Sequence, residues 1–93
     1  MPTTVSKRYI VIGRVQGVGF RAFVKRVAIR ENLSGFVKND SSGCVEVVAE
    51  GRREAIERLE GRLRSGPPLA EVDDLTVHEC GSPVETGDFH IRE

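Results

Sequence analysis

Hydrophobic and polar positions divide the chain into short segments whose periods differ. Residues 8–15 (RYIVIGRV) are rich in β-branched side chains and alternate loosely, which predicts a strand with one or both faces covered. Gly17 and Gly19 interrupt it. From there the apolar residues fall at Phe20, Phe23, Val24, Val27 and Ala28, the spacing of one helical face, with Lys25, Arg26 and Arg30 opposite. Asn32 suits a left-handed position after that helix, and Gly35-Phe36-Val37-Lys38-Asn39 resumes extended chain. Asp40-Ser41-Ser42-Gly43 is a turn cluster. Beyond it, residues 44–50 alternate Val45, Val47 and Ala49 against Glu46, Val48 and Glu50, so a hairpin is expected. Gly51 precedes a charged helix whose inner face is Ala55, Ile56, Leu59 and Leu63, and Gly66-Pro67-Pro68 ends it. Residues 72–79 and 88–92 supply two further short strands.

The order of elements is therefore β-α-β-β-α-β plus a terminal strand, without repeats or a dividing linker. Two helices with single apolar stripes hide those stripes by lying together on one face of the sheet. The expected fold class is α+β: a ferredoxin-like sandwich with an additional C-terminal strand, its two helices on one face of a mostly antiparallel sheet. One domain over residues 1–93 is expected, with residues 1–6 as a flexible N-terminal tail.

Composition adds little to this and excludes some classes. At 93 residues, 39% hydrophobic and 30% charged, the chain has ordinary globular usage. A domain of this size buries only roughly two-thirds of its unfolded surface, so one core is the limit. Lys plus Arg (14) equals Asp plus Glu (14), and a net charge of zero exerts little long-range pull on nucleic acid or an anionic membrane. The distribution is uneven. Residues 1–30 hold Lys7, Arg8, Arg14, Arg21, Lys25, Arg26 and Arg30 and no acid, whereas residues 69–93 hold seven acids against Arg92. Such a basic end suits a small anionic ligand; alternatively, the two ends neutralise each other across one sheet.

No apolar run approaches the roughly 20 residues that span a bilayer, and residues 1–7 lack a signal-peptide core, so a cytoplasmic protein is expected. Cys44 and Cys80 have neither metal-ligand nor redox-motif spacing, and unlinked thiols are expected.

The chemistry concentrates in Gly13-Arg14-Val15-Gln16-Gly17-Val18-Gly19-Phe20-Arg21. Its glycines stand where a strand turns sharply into a helix, leaving amide N–H groups without intrahelical partners and free to converge on an anion. Positive φ values suit glycine, and the helix start adds about half a positive charge of dipole field. Arg21 contributes a permanent forked cation that grips two phosphate oxygens at once. The competing reading gives the glycines a purely geometric role and makes Arg21 a solvated first-turn residue. Gly17-x-Gly19-x-x-Ala22 is a weak match to a dinucleotide fingerprint, but the chain lacks room for repeated βαβ units. No Gly-Lys-Ser/Thr ending is present for a triphosphate.

Topology predicts a second participant. If the first helix crosses over between two parallel strands, their carboxyl ends emerge at one edge, and Asn39 faces the 17–21 loop. Its amide there holds a water; the simpler role is turn initiation before Asp40-Ser41.

With these residues placed, the chain resembles the acylphosphatase family, small enzymes that hydrolyse carboxyl-phosphate mixed anhydrides such as acetyl phosphate without a metal. Val15-Gln16-Gly17-Val18-Gly19-Phe20-Arg21 is similar to the family's phosphate loop, and Gly35-Phe36-Val37-Lys38-Asn39 to its second signature. Gly43-Cys44-Val45-Glu46, Gly51, Gly66-Pro67, Ala70-x-Val72 and Phe89-x-Ile91 sit where the family framework has similar residues. The resemblance implies that Arg21 binds the phosphate and Asn39 orients the attacking water. Substrate is then bound by Gln16, Gly17, Val18, Gly19, Phe20 and Arg21, with Arg21 and Asn39 catalytic and no metal or other cofactor. Phe36 departs from the Trp often found there, a change of packing rather than chemistry.

So few groups suffice for this reaction. Phosphoryl transfer places charge on equatorial oxygens, so positioned donors do most of the work. The acyl phosphate departs as a carboxylate of pKa about 4 to 5, which needs no general acid at neutral pH. No His, Cys, Asp or Glu lies within the loop and no Cys-x5-Arg stretch exists, which argues against a cysteine-dependent phosphatase. His78 and His90 are assigned no role. The expected partner is a small-molecule acyl phosphate, with no nucleic acid, no membrane and a monomeric state. The alternative is a non-catalytic phosphate-sensing module or an RNA-binding module of the same fold. The second of these requires stacking aromatics, which one Tyr, four Phe and no Trp scarcely supply.

Overall fold

A computed structural model describes residues 4–79 and 87–92. In chain order the elements are β1 (Thr4–Arg14), α1 (Phe20–Arg30), β2 (Ser34–Asn39), β3 (Val45–Arg52), α2 (Arg53–Ser65), β4 (Glu71–Glu79) and β5 (Phe89–Arg92). The five strands form one mixed sheet in the order β4-β1-β3-β2-β5. β3 runs antiparallel to both β1 and β2, so β1 and β2 are parallel to each other and α1 is the crossover between them. β4 is antiparallel to β1, and β5 is parallel to β2. The ferredoxin-like order of elements, the hairpin and the extra terminal strand agree with the hydrophobic pattern.

Period-2 alternation decides which side of the sheet is covered. Tyr9, Val11, Val37, Val45, Val47, Ala49 and Leu75 are buried, and the residues between them are at least partly open to solvent. α1 brings Phe20, Phe23, Val24, Val27 and Ala28 to this core, and α2 brings Ala55, Ile56, Leu59 and Leu63. Neither helix has a side-chain hydrogen bond at its N-cap. Such a cap is worth about 1 kcal/mol, whereas each fully buried large apolar side chain contributes about 1.5–3 kcal/mol. Packing therefore holds α1, an 11-residue helix too short to persist alone in water.

One strand is longer than its pattern predicts. Thr4, Val5 and Ser6 pair with Arg52, Gly51 and Glu50, so the expected flexible tail over residues 1–6 is corrected from residue 4 onward. The reason is that β3 continues to Arg52 and its backbone donors and acceptors pair with the facing segment, whose single apolar residue, Val5, packs against the core. Residues 1–3 lie outside the described residues, as does Cys80, on which the expectation of unlinked cysteines depends; Cys44 is half-buried.

Several polar groups at the core's margin are paired, although the buried Ser6 hydroxyl on β1 has no hydrogen-bond partner among the described residues. The Tyr9 hydroxyl donates to Glu60 Oε1 at 3.3 Å, and burial, followed by the adjacent Glu60 charge, pushes its pKa up, keeping it a neutral donor. Lys7 (3.9 Å) and Arg64 (3.5 Å) also approach Glu60. Arg8 pairs with Glu46, which Lys38 approaches at 3.6 Å. Early basic residues thus find acids in the middle of the chain. At the end of α1, Asn32 adopts the expected left-handed conformation, φ 58°, and the Leu33 N–H donates to Ala28 O at 2.9 Å.

The β2–β3 turn is organised by one carboxylate. Asp40 Oδ1 accepts from the Ser42 hydroxyl (2.6 Å), the Ser42 amide (2.9 Å) and the Cys44 amide (3.2 Å). The Ser42 hydroxyl bond foremost, then these amides and the Lys38 charge, hold its pKa below the ordinary 3.8 against the opposing effect of desolvation. Because the folded pKa is depressed, its contribution to stability is present above pH 3.8 and lost as pH falls through the folded value. Thermal unfolding followed from pH 7 to pH 2 is expected to show Asp40→Ala less stable than wild type at neutrality, with the gap closing in acid. A gap that persists unchanged at pH 2 would contradict a charged turn.

Candidate active site

The chain leaves β1 at Arg14 and enters α1 at Phe20, and the intervening residues turn through two left-handed glycines, Gly17 (φ 75°) and Gly19 (φ 78°). A Cβ on either would meet open space, so the constraint is the backbone angle itself. The first intrahelical bond runs from Phe23 N–H to Gly19 O at 3.1 Å. The N–H groups of Phe20, Arg21 and Ala22 consequently have no acceptor within the helix. No side chain caps them, and the first turn holds no acid. The positive end of α1 is left uncompensated by the helix itself.

A cavity of about 230 Å³ opens at this helix start, lined by Val15, Gly17, Gly19, Phe20, Arg21, Ala22, Asn39 and Ile91. This is below the roughly 300–1,000 Å³ usual for drug-sized ligands, a size for a small molecule. None of the lining residues is a His, Cys, Asp or Glu. Among the described residues, no group of three or more His, Cys, Asp or Glu side chains is placed to hold a metal ion.

The structure brings Arg21 and Asn39 to the same cavity from different elements. Arg21 stands in the first turn of α1; Asn39 ends β2. The parallel relation of β1 and β2 puts both strand ends at one edge of the sheet, as the conditional topology argument requires. Arg21 Nη1 donates to the main-chain carbonyl of Arg92 at 3.1 Å, which uses one of several N–H donors and fixes the guanidinium. Gly17, Gly19 and Phe20 line the space too, the Phe20 ring being buried in the core. Gln16 and Val18 do not line it. Val18 packs against the core, and the Gln16 side chain turns to the β2–β3 turn, where Nε2 lies 2.9 Å from both Asp40 O and Cys44 O.

Sequence reasoning placed Val15 in the loop but missed Ile91 and Ala22 as lining, and the Arg92 carbonyl as the partner of Arg21. The one available signal was Phe89-x-Ile91: β5 lies beside β2 with Phe89 opposite Gly35 and Ile91 opposite Val37, which carries Ile91 toward Asn39. The Phe36 ring, on the other hand, lies under the Arg92 guanidinium, 4.0 Å from centroid to Cζ, a cation–π contact outside the cavity lining.

Known proteins resemble this chain in sequence and in fold. A model of the acylphosphatase family matches residues 7–91. An acylphosphatase from Nitratidesulfovibrio vulgaris is 47% identical over 90 residues, covering 92% of this chain and 90% of that protein. The crystal structure of acylphosphatase from Bacillus subtilis superposes with a TM-score of 0.91 at 40% identity, covering 98% of this chain and all of that one. A carbamoyltransferase HypF2 from Cupriavidus necator is 45% identical over 93 residues, which span 99% of this chain but 11% of that protein. The phosphate-loop sequence, the fold that carries it and these likenesses agree, and this chain belongs to the acylphosphatase family.

Proposed function

We propose that this protein hydrolyses acyl phosphates to a carboxylate and inorganic phosphate, acting as a single domain over residues 1–93. The observation that carries the reading is the small cavity in which an uncapped helix start, Arg21 and Asn39 meet. Family membership supports the same reaction and lends nothing to a sensing or RNA-binding role.

In this reading the phosphate sits against the amides of Gln16, Gly17, Val18, Gly19, Phe20 and Arg21, and the Arg21 guanidinium binds two of its oxygens. The Arg92 carbonyl holds that guanidinium in place before substrate arrives, so little ordering remains to be done on binding. The Asn39 carboxamide holds a water in line with the bond to be broken. Water oxygen bonds to phosphorus as the bond from phosphorus to the acyl oxygen breaks, and the carboxylate leaves with the bonding pair. The water's proton passes to a phosphate oxygen or to the substrate itself. A leaving group of pKa about 4 to 5 needs no protonation, which fits a lining without acids or imidazoles. The same lining offers no carboxylate, thiolate or imidazole to a metal, in keeping with a metal-independent reaction. We place the protein in the cytoplasm as a monomer whose partner is a small acyl phosphate rather than nucleic acid or membrane. Among the described residues, no helix is long and apolar enough to cross a membrane.

Hydrolysis of acetyl and benzoyl phosphate by the purified protein tests the reading, and turnover no faster than the buffer blank would end it. Arg21→Ala is expected to lose both phosphate affinity and rate. Asn39→Ala is expected to retain inhibition by inorganic phosphate and to lose on the order of 100-fold in kcat. Equal weakening of phosphate binding in the two variants would contradict the division of labour. EDTA is expected to leave the rate unchanged, and a fall restored by added divalent metal would refute metal independence.

A further inference from the structure

The Gln16 side chain is the one polar side chain of the phosphate loop that the hydrolytic reading does not use. Its position is specific. Nε2 lies 2.9 Å from the Asp40 carbonyl oxygen and 2.9 Å from the Cys44 carbonyl oxygen, across 24 and 28 residues of sequence. A primary carboxamide nitrogen carries two N–H donors, and here each has its own acceptor. The two carbonyls bracket the β2–β3 turn, and each is already held from within it: Asp40 N–H donates to Cys44 O at 3.0 Å and Gly43 N–H to Asp40 O at 3.2 Å. The Asp40 carboxylate ties the same turn through Ser42 and Cys44. Gln16 therefore grips a preformed, rigid object, and Asn39 is the residue immediately before it.

The remaining links between loop and turn are few. Among the described residues, no other hydrogen bond joins residues 15–19 to residues 39–44. α1 and β2 share the core, which fixes the helix against the sheet but acts on the helix body rather than on the loop before it. Without the carboxamide, the distance between the amides that cradle a phosphate and the amide that holds a water rests on packing alone. In-line attack is sensitive to that distance, since a displacement of about 1 Å costs on the order of 100-fold in rate.

We infer that Gln16 is a positioning residue: its carboxamide ties the phosphate loop to the β2–β3 turn and so sets the spacing between bound phosphate and the water on Asn39. The inference rests on the hydrolytic reading and goes beyond it, because it assigns work to a side chain that touches no substrate. It acts through Asn39. Phosphate affinity, which belongs to the loop amides and Arg21, is largely independent of it.

A double-mutant cycle on the full chain tests this, with acetyl phosphate as substrate and inorganic phosphate as competitive inhibitor. Gln16→Met keeps length and volume and removes both donors; Gln16→Glu keeps shape and sets a negative oxygen against two carbonyls. Both are expected to lower kcat between about 10- and 100-fold, with the phosphate inhibition constant changed less than about threefold. In the Asn39→Ala background, Gln16→Met is expected to cost less than about twofold, because the water it would position is no longer held. A purely structural glutamine would impose the same loss in both backgrounds, and that result overturns the inference. So does a phosphate inhibition constant that rises in step with the fall in kcat. The wild-type protein supplies a measurement that survives a failure of the variants to fold: both Gln16 carboxamide protons are expected to exchange with water well below the rate of a free glutamine, and free-like exchange of either removes the tether. An inactive wild type would sink the hydrolytic reading and the catalytic part of this inference together. Full kcat in Gln16→Met beside an active wild type would sink the inference alone.

Discussion

Everything at the site depends on β3 separating two strands that run in the same direction. β1 and β2 each pair antiparallel with it, so their carboxyl ends reach one edge of the sheet although α1 and its turns separate them in sequence. A meander of neighbouring antiparallel strands would send those ends to opposite edges. Here the loop after β1 and the last residue of β2 become neighbours, and two chemically different groups, a guanidinium from α1 and a carboxamide from β2, line one cavity. β5 adds to the same edge by lying parallel to β2, which delivers Ile91 and the carbonyl that holds Arg21.

The start of α1 shows how stability and function divide the helix between them. A capping side chain at residue 19 and an acid in the first turn each contribute about a kilocalorie per mole or less to helix stability, and α1 has neither. Five side chains in the core supply several times that amount, so the helix tolerates an unsatisfied end. α2 also lacks a capping side chain but differs in its first turn, which holds Glu54; both helices carry arginine in the last turn, Arg30 in α1 and Arg62 and Arg64 in α2, in keeping with the helix dipole. The contrast marks the start of α1 as the helix end whose positive field no acid of its own offsets.

Charge and aromatic content were less informative than their counts implied. The basic N-terminal third does not form a single positive surface, since Lys7 approaches Glu60 and Arg8 pairs with Glu46. Arg21, in the same third, has a carbonyl as its hydrogen-bond partner and stands at the cavity. Phe36, a departure from the family's frequent Trp, forms a platform for Arg92 on the strand pair that also carries Asn39 and Ile91. What distinguishes one arginine from another is the company that the fold gives it.

The sequence by itself determined the elements, because hydrophobic period is a local property: Phe20, Phe23, Val24 and Val27 mark one helical face, and Val45, Val47 and Ala49 mark one face of a strand. It also determined the turn between β1 and α1, since glycines between a strand and a helix signal a backbone that turns through positive φ, as Gly17 and Gly19 do. It did not reveal that residues 4–6 belong to β1, because one apolar residue, Val5, is too short a pattern to mark a strand and the pairing follows from the reach of β3 to Arg52. Nor did it reveal that Gln16 faces the turn, that Arg21 bonds to the Arg92 carbonyl, or that Ile91 lines the cavity. Each of these is a contact between segments far apart in the chain, and two of them end on main-chain carbonyls, which every residue possesses and which therefore leave no mark in a sequence. Only the sheet order and its register select which of those identical acceptors comes within reach.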